Sequence, residues 1–465
     1  MLLFLQIEYK INGMKRNLAT YLVACLSVFL FASCWGDEDE ALLSPYAMVK
    51  SFSIGNIKTK YPATISEGND TTLVKVINCE KLKFTIDQLN GRIYNNDSLP
   101  YSTDLSKIVT TMSVDGVASI YVDSTNTYDY YAVTDSTDFT TPRKFRIYSE
   151  GGTYYKDYLV SVNAHQVDPD SMAWKKSSAV AGLVPYGIAE LSGEMKMLGK
   201  NGSDIVVASS SVEGEVLWTT SDVVGLPANV DLSSLQRYKD SLYLVADSAL
   251  YVSADAENWS LVAVVPGVVA IVGASDNDCL MVATENEILS SVDGVNFETM
   301  GALPKNFPLY GVSIASYPMS HNSDIIRYLV FGYATSDKSG KAYVWSRLST
   351  ETSWSNYDNA ENPFPCPSLK GLAVVRYDNF FYALGGAGIA EGVAVKAFES
   401  FYVSKDNGIV WKTLDDDYQV LPSELLGDDN AFVTAVDSQN YIWIINSGKK
   451  AATYRGIVNR LGFKK

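Results

Sequence analysis

Four segments of this chain can be set beneath one another: LWTTSD (217–222), LYVSADAENW (250–259), ILSSVDGVNF (288–297) and FYVSKDNGIVW (401–411). Each has an apolar pair, two positions of which the second is Ser or Thr, one further residue and an aspartate. The aspartates are Asp222, Asp255, Asp293 and Asp406, the first three separated by 33 and 38 residues. The wide gap before Asp406 holds a lengthened copy, AYVWSRLSTETSW (342–354). A second strand candidate lies upstream of each copy: DIVVAS (204–209), SLYLVAD (241–247), CLMVAT (279–284), RYLVFGY (327–333) and FFYALGG (380–386). Units this short cannot bury an apolar face alone, so neighbours must stack. A period of this length with several short strands per unit predicts a β-propeller.

Counting units gives six across residues 172–465, about 49 residues each, near the kelch-type period. The final unit offers YIWIINS (441–447) and YRGIVNRLGF (454–463), and stops before a fourth strand. In other units that strand opens on Trp259, Trp354 or Trp411. Residues 172–176 (MAWKK), ahead of the first unit, look like the missing strand. The expectation is an all-β chain ending in a six-bladed propeller, with the ring closed by 172–176.

Ahead of the repeats, short strand candidates recur at 48–54, 71–77, 82–86 and 117–122, followed by RKFRIYS and TYYKDYLVSV around Gly151-Gly152. The glycine pair predicts a tight hairpin turn. Six or seven strands in residues 47–163 suggest an Ig-like β-sandwich, and residues 164–171 a linker. The stretch from Asp138 to Val162 also resembles the end of Ig-like modules common in surface lipoproteins of Bacteroidetes.

The first residues address the chain. Met14, Lys15 and Arg16 open an apolar stretch from Leu18 to Phe31, the length of a signal-peptide core and short for a membrane span. It ends at Phe31-Ala32-Ser33-Cys34, which resembles a bacterial lipoprotein processing site. The resemblance implies a signal peptide over 1–33, lipid on Cys34 and an acidic tether over 34–46. The run Asp37-Glu38-Asp39-Glu40 resembles the export signal of Bacteroidetes surface lipoproteins. The plainer alternatives are a secretory signal with a chance cysteine, and a solvated charged tether. Attachment would then be through the lipid alone, at the outer membrane or cell surface.

Ser404, Asp406, Gly408 and Trp411 spell Ser-x-Asp-x-Gly-x-x-Trp, which resembles the Asp-box of sialidases and other propellers. Ser253/Asp255/Trp259 and Ser291/Asp293/Phe297 form versions one residue shorter. A catalytic aspartate is needed once, whereas this one recurs at a turn. The expected role is structural: Ser and Asp side chains accept from the turn's own amides, Gly408 takes a left-handed conformation, and the aromatic packs over the turn.

Other chemistry is narrowed by counts. The chain has two histidines, His165 and His321, too few for a histidine-ligated copper centre or for a Ser-His-Asp triad placed among the blades. Cys79, Cys279 and Cys366 are widely spaced and read as buried apolar residues rather than a disulfide or zinc framework. A formal charge of -16 argues against nucleic acid. The sialidase resemblance would imply an arginine triad, and Arg237, Arg327, Arg347, Arg376, Arg455 and Arg460 fall at scattered strand positions with no Arg-Ile-Pro near the start. Acid runs such as Asp415-Asp416-Asp417 and Asp428-Asp429 read as solubilising turns, although a carboxylate-pair glycoside hydrolase or lyase remains the alternative. The expectation is a surface binding or scaffold protein for a glycan or partner protein, needing no cofactor or metal. Its ligand face would lie on the loops 332–341, 358–368 and 385–400, with Tyr333, Asp337, Glu391 and Lys396 as candidate contacts. The whole chain resembles Bacteroidetes surface lipoproteins of unknown function that join an Ig-like module to an Asp-box/kelch-like propeller.

Overall fold

The computed structural model describes residues 44–462 except 65–69, 264, 339 and 414–418. The signal segment, Cys34, the tether up to residue 43 and the acidic run 415–417 lie outside the described residues. The chain divides after Gln166 into two compact units. Among the described residues no helix is long and apolar enough to cross a membrane.

The first unit is built on two main sheets. One has three strands, Met48–Ile54, Ile108–Asp115 and Ser136–Thr137. The other has six, in the spatial order Phe84–Asp87, Arg92–Asn95, Tyr155–Ser161, Arg143–Tyr148, Val117–Val122 and Thr127–Tyr130. Strand alternation gives each sheet one apolar face. Val49, Phe52 and Ile108 from one sheet join Ile93, Phe145, Ile147, Tyr158 and Val160 from the other in a single core. All pairs in the larger sheet are antiparallel except that between Tyr155–Ser161 and Arg92–Asn95. The hairpin around the two glycines is longer than expected. Tyr148 pairs with Tyr155, so the loop has six residues. Only Gly152 of the glycine pair takes a positive φ (68°). The loop closes with Ser149 N–H donating to the Tyr154 carbonyl (2.9 Å) and Gly152 N–H to that of Ser149 (2.8 Å).

Among its described residues the second unit contains six four-stranded antiparallel sheets. In chain order the first spans 184–222, the second 230–263, the third 268–302, the fourth 310–356 and the fifth 373–413. The sixth takes Phe432–Val436, Ile442–Asn446 and Ala452–Val458, and its fourth strand is Met172–Ser178 from the other end of the unit. That pairing runs from Met172 opposite Val458 to Ser178 opposite Ala452. The first strand of each sheet packs against that of the next, and the first strands of the first and sixth sheets also meet. Apolar cores fill the space between neighbours. Leu198 and Val207 of the first sheet meet Leu242 and Leu244 of the second, and Met195 and Met197 meet Trp443 and Ile445 of the sixth.

Two strand expectations change. Thr219–Asp222 is the fourth strand of the first sheet, paired with Asp204–Ser211, which is its third. Asp222 is therefore not a turn aspartate, and DIVVAS is a third strand rather than a second. The second strand, Glu194–Asn201 (EMKMLGKN), lacks β-branched residues and so carries no strand signature. Its neighbour Leu217-Trp218 imitates the apolar pair of the other copies. At the chain end, Asn459–Gly462 is a helical turn and not a continuation of the strand. Asn459 donates its backbone N–H to the Ser171 carbonyl (2.9 Å) and its side-chain amide to the Asp168 carbonyl and Ser171 Oγ (both 2.8 Å).

Candidate functional site

The repeated serines and aspartates lie between the third and fourth strands of the second, third and fifth sheets. Asp406 Oδ1 accepts from Val410 N–H (2.9 Å) and from Ser404 Oγ–H (2.7 Å), and Ser404 Oγ accepts from Gly408 N–H (2.8 Å). Trp411, 1% exposed, donates its indole N–H to the Gly408 carbonyl (2.9 Å). Gly408 sits at φ +93°, and a Cβ there would stand 3.1 Å from Phe331 and from Val344; a larger residue would be both strained and crowded. Asp255 accepts from the amides of Glu257 and Asn258 (2.8 Å each) and from Ser253 Oγ–H (2.9 Å). Asp293 accepts from Val295 (2.9 Å), Asn296 (2.8 Å) and Ser291 Oγ–H (2.8 Å). Phe297 packs beside Tyr238 and Leu280. Partial burial raises the Asp255 carboxyl, but donation from the Asn258 backbone and side chain, then Glu257 and Ser253, outweighs it and holds the group well below the usual carboxylate range. Donation from Asn296, first of all, does the same for Asp293. These carboxylates are fully committed to their turns.

The second unit's large cavity is of about 1160 Å³, lined by the first strands of five sheets and the residues flanking them. Those strands approach closely because they carry small residues: a Cβ on Gly187 would stand 2.2 Å from the Leu232 carbonyl oxygen. Tyr186, Tyr333, Gly386, Lys338, Lys370 and Asp429 contribute beside the starts of the strands, and Glu190, Arg237, Asp240, Arg376 and Asp437 further along or beyond them. Several charges are already engaged. Glu190 accepts from Ser438 N–H (2.6 Å) and Oγ–H (2.7 Å), tying the first sheet to the sixth. Arg237 pairs with Asp276 at 2.6 Å, and Lys370 with Asp429. Asp437 is buried and accepts from Trp443 Nε1–H and Arg455 Nη2–H, both at 2.8 Å. Asp428 is also buried, accepting from Asn446 Nδ2–H (3.0 Å), so Asp428-Asp429 anchors structure rather than solubilising a turn. Among the described residues no group of three or more His, Cys, Asp and Glu is placed to hold a metal. Cys79, Cys279 and Cys366 are free and buried; burial pushes the Cys279 thiol up to about 11.

The four candidate contacts do not converge. Tyr333 borders the cavity but is only 2% exposed, its hydroxyl donating to the Leu369 carbonyl (2.7 Å). It holds the fourth sheet to the segment before the fifth, because a phenol ending a core strand needs a buried acceptor. Asp337 accepts from Thr335 Oγ1–H (2.8 Å) in the following loop. Glu391, in the turn between Gly388–Ala390 and Val393–Val395, reaches the fourth strand of the fifth sheet, accepting from Thr413 N–H (2.7 Å) and Oγ1–H (3.1 Å). Lys396 donates its backbone N–H to Glu399 (2.9 Å).

What the sequence reading missed is the meeting of Arg327 and Arg376 at Tyr317. Arg376 lays its guanidinium 4.1 Å from the Tyr317 ring centroid, and Arg327 pairs with Tyr317 across two strands of the fourth sheet. Burial depresses the Arg376 guanidinium, the Tyr317 phenol opposing this. Burial raises Tyr317 itself, with Arg327 and Arg376 acting in the other direction. The available signal was a lone arginine inside each of two apolar strands, RYLVFGY and AVVRY.

These repeated four-stranded sheets, each with its first strand against the next, define a β-propeller domain. The chain matches the DUF6242 beta propeller domain over residues 168–465 and the DUF6242 N-terminal domain, of unknown function, over 52–162. It belongs to the DUF6242 family. No curated protein is significantly similar to it. Solved structures with some likeness include a virginiamycin B lyase of Staphylococcus aureus in complex with quinupristin (11% identity, 62% of this chain and 99% of that one, TM-score 0.37). They also include a GH74 enzyme of Niastella koreensis (14%, 50% and 38%, TM-score 0.32). A third is PorZ, a surface component of the type-IX secretion system of Porphyromonas gingivalis (12%, 74% and 55%, TM-score 0.19). Likeness at this level carries no argument about activity.

Proposed function

We propose that this chain is a lipid-anchored surface protein whose propeller, a ring of six blades, binds a glycan in its axial cavity. The first unit serves as an Ig-like spacer. The observation that carries the binding reading is the cavity itself: about 1160 Å³, somewhat larger than the usual ligand site of about 300–1,000 Å³, with polar and charged groups interspersed with apolar ones. Tyr186, 43% exposed, supplies a ring of the kind that stacks on sugar faces. What supports six blades is the order of first-strand neighbours, which runs through all six sheets and returns from the sixth to the first. The pairing of 172–178 with 452–458 supports closure by the two chain ends.

The test is a panel of host and plant polysaccharides incubated with the mature protein, following binding and reducing-sugar release together. Binding without release is expected. Sugar release by wild type that stops in an Asp240→Asn variant would replace the binding reading with a hydrolase or lyase, and silence on every glycan would favour a protein partner. The anchor is tested separately: Cys34→Ala should abolish lipid labelling and release the protein from membranes.

A further inference from the structure

The seam between the fourth and fifth sheets contains two guanidiniums that no carboxylate among the described residues answers. Arg327 donates from Nη1 to Ser346 Oγ (3.2 Å) and Tyr357 Oη (3.1 Å), and its Nε is buried without a partner. Arg376 donates from Nη2 to Asn379 Oδ1 (3.0 Å). Between them Tyr317 donates its hydroxyl to Asn407 Oδ1 (2.7 Å). Neither arginine forms an ion pair among the described residues, whereas Arg146, Arg455 and Arg460 pair with Asp157, Asp437 and Asp378. In a chain with 53 acidic and 37 basic residues, two neighbouring partly buried arginines without an acid are conspicuous. Taking a cation out of water is costly unless a counter-charge replaces the lost hydration. Here the described residues supply none.

We propose that Arg327 and Arg376, on either side of Tyr317, form a binding site for a carboxylate-bearing ligand of the uronic-acid class. Guanidinium forks match a carboxylate in two-point geometry, which an amine cannot do. The flanking phenol rings of Tyr317 and Tyr357 suit a carboxylate carried on a sugar ring rather than a bare anion. A single negative charge also fits a net charge of -16, which repels multiply charged phosphates at long range. Arg376 borders the axial cavity, which puts one of the two guanidiniums at its edge. The inference rests on the binding reading for the sugar scaffold of the ligand, and on the arginine pair for its charge.

Calorimetric titration of the whole mature chain with sodium glucuronate, methyl glucoside and inorganic phosphate tests it. Glucuronate should bind, more weakly as salt is raised, and better than the other two. Arg376→Lys, which keeps the charge and loses the fork, should weaken glucuronate severalfold, and the Arg327→Met/Arg376→Met double variant by about tenfold or more. Equal affinity for glucuronate and methyl glucoside, tighter binding of phosphate, or undiminished binding by Arg376→Lys would each overturn the proposal. If the double variant does not fold, Arg376→Lys decides alone. Neutral glycans bound while glucuronate is ignored would sink this inference and leave the binding reading standing; silence on neutral and acidic sugars alike would sink both.

Discussion

The turn between the third and fourth strands is built differently in the fifth and first sheets of this propeller. In the fifth sheet Ser404 and Asp406 gather the turn's own amides, and Trp411 caps it from within. In the first sheet the corresponding stretch is Ser210-Ser211-Val212-Glu213-Gly214, with Val212 where the aspartate would be. Ser210 Oγ still accepts from an amide, that of Leu217 (3.1 Å). The carbonyls of Val212 and Gly214, however, take hydrogen bonds from Arg455 of the sixth sheet. Arg455 is held in turn by Asp437, whose side chain is fully buried, and lies against Tyr441, its guanidinium 3.9 Å from the ring centroid. One turn is self-sufficient, and the other is fastened by its neighbour. The difference falls where the first and last sheets of the unit meet. There a turn held from outside also fastens the first sheet to the last, alongside the short connection from Met172–Ser178 to Val184–Leu191.

The largest effect should come from breaking that junction outright. Deleting Met172–Lys176 leaves Ala452–Val458 an unpaired edge, and a shift from the wild-type elution to aggregates is expected by size-exclusion chromatography. A soluble and equally stable truncation would break the proposal of a closed ring. Next, Arg455→Met removes one partner of a buried pair and strands Asp437, which should cost about 3–5 kcal/mol in denaturant unfolding. Adding Asp437→Leu to it should recover part of that loss. A loss in the double variant equal to the sum of the two single losses would show that the pair is not coupled.

The self-sufficient turns should respond less. Asp406→Ala removes two hydrogen bonds made to a carboxylate and should lower stability by about 2 kcal/mol, leaving ligand affinity unchanged; an intact melting curve with lost binding would reverse the structural assignment. The smallest effect is a pH dependence. The Asp255 carboxyl is lowered in the folded state, so its contribution is present above the ordinary carboxylate pKa of about 3.9 and is lost as pH falls through the lower folded value. Asp255→Asn should therefore reduce stability at pH 7 and flatten the acid limb of the melting temperature between about pH 4 and pH 2. An acid limb identical to that of wild type would place the transition elsewhere.

How much was legible varies with the range of the interaction. The turns of 253–259, 291–297 and 404–411 could be read because their hydrogen bonds close within five residues, so spacing along the chain is spacing in space. The strands of the second unit with β-branched and aromatic residues were also legible, down to the one contributed by MAWKK. Glu194–Asn201 was not, since methionine, lysine and glycine give no strand preference and its place is set by the two strands that flank it. Glu391 and Tyr333, expected on ligand loops, each bond a backbone group of a neighbouring segment, because a carboxylate or phenol near a strand end takes whatever unpaired backbone group it can reach.

The sequence by itself thus determined the all-β class, the propeller repeat and the local chemistry of its turns, all properties of residues close together in the chain. Only the tertiary structure decided which distant groups share a site. Arg327 and Arg376 meet at Tyr317 because two sheets pack face to face, and Arg455 reaches Val212, 243 positions away in the chain, because the last sheet comes back to the first. No spacing in the sequence encodes such a meeting; it follows from how apolar sheet faces stack, and the charges are carried along on the strands.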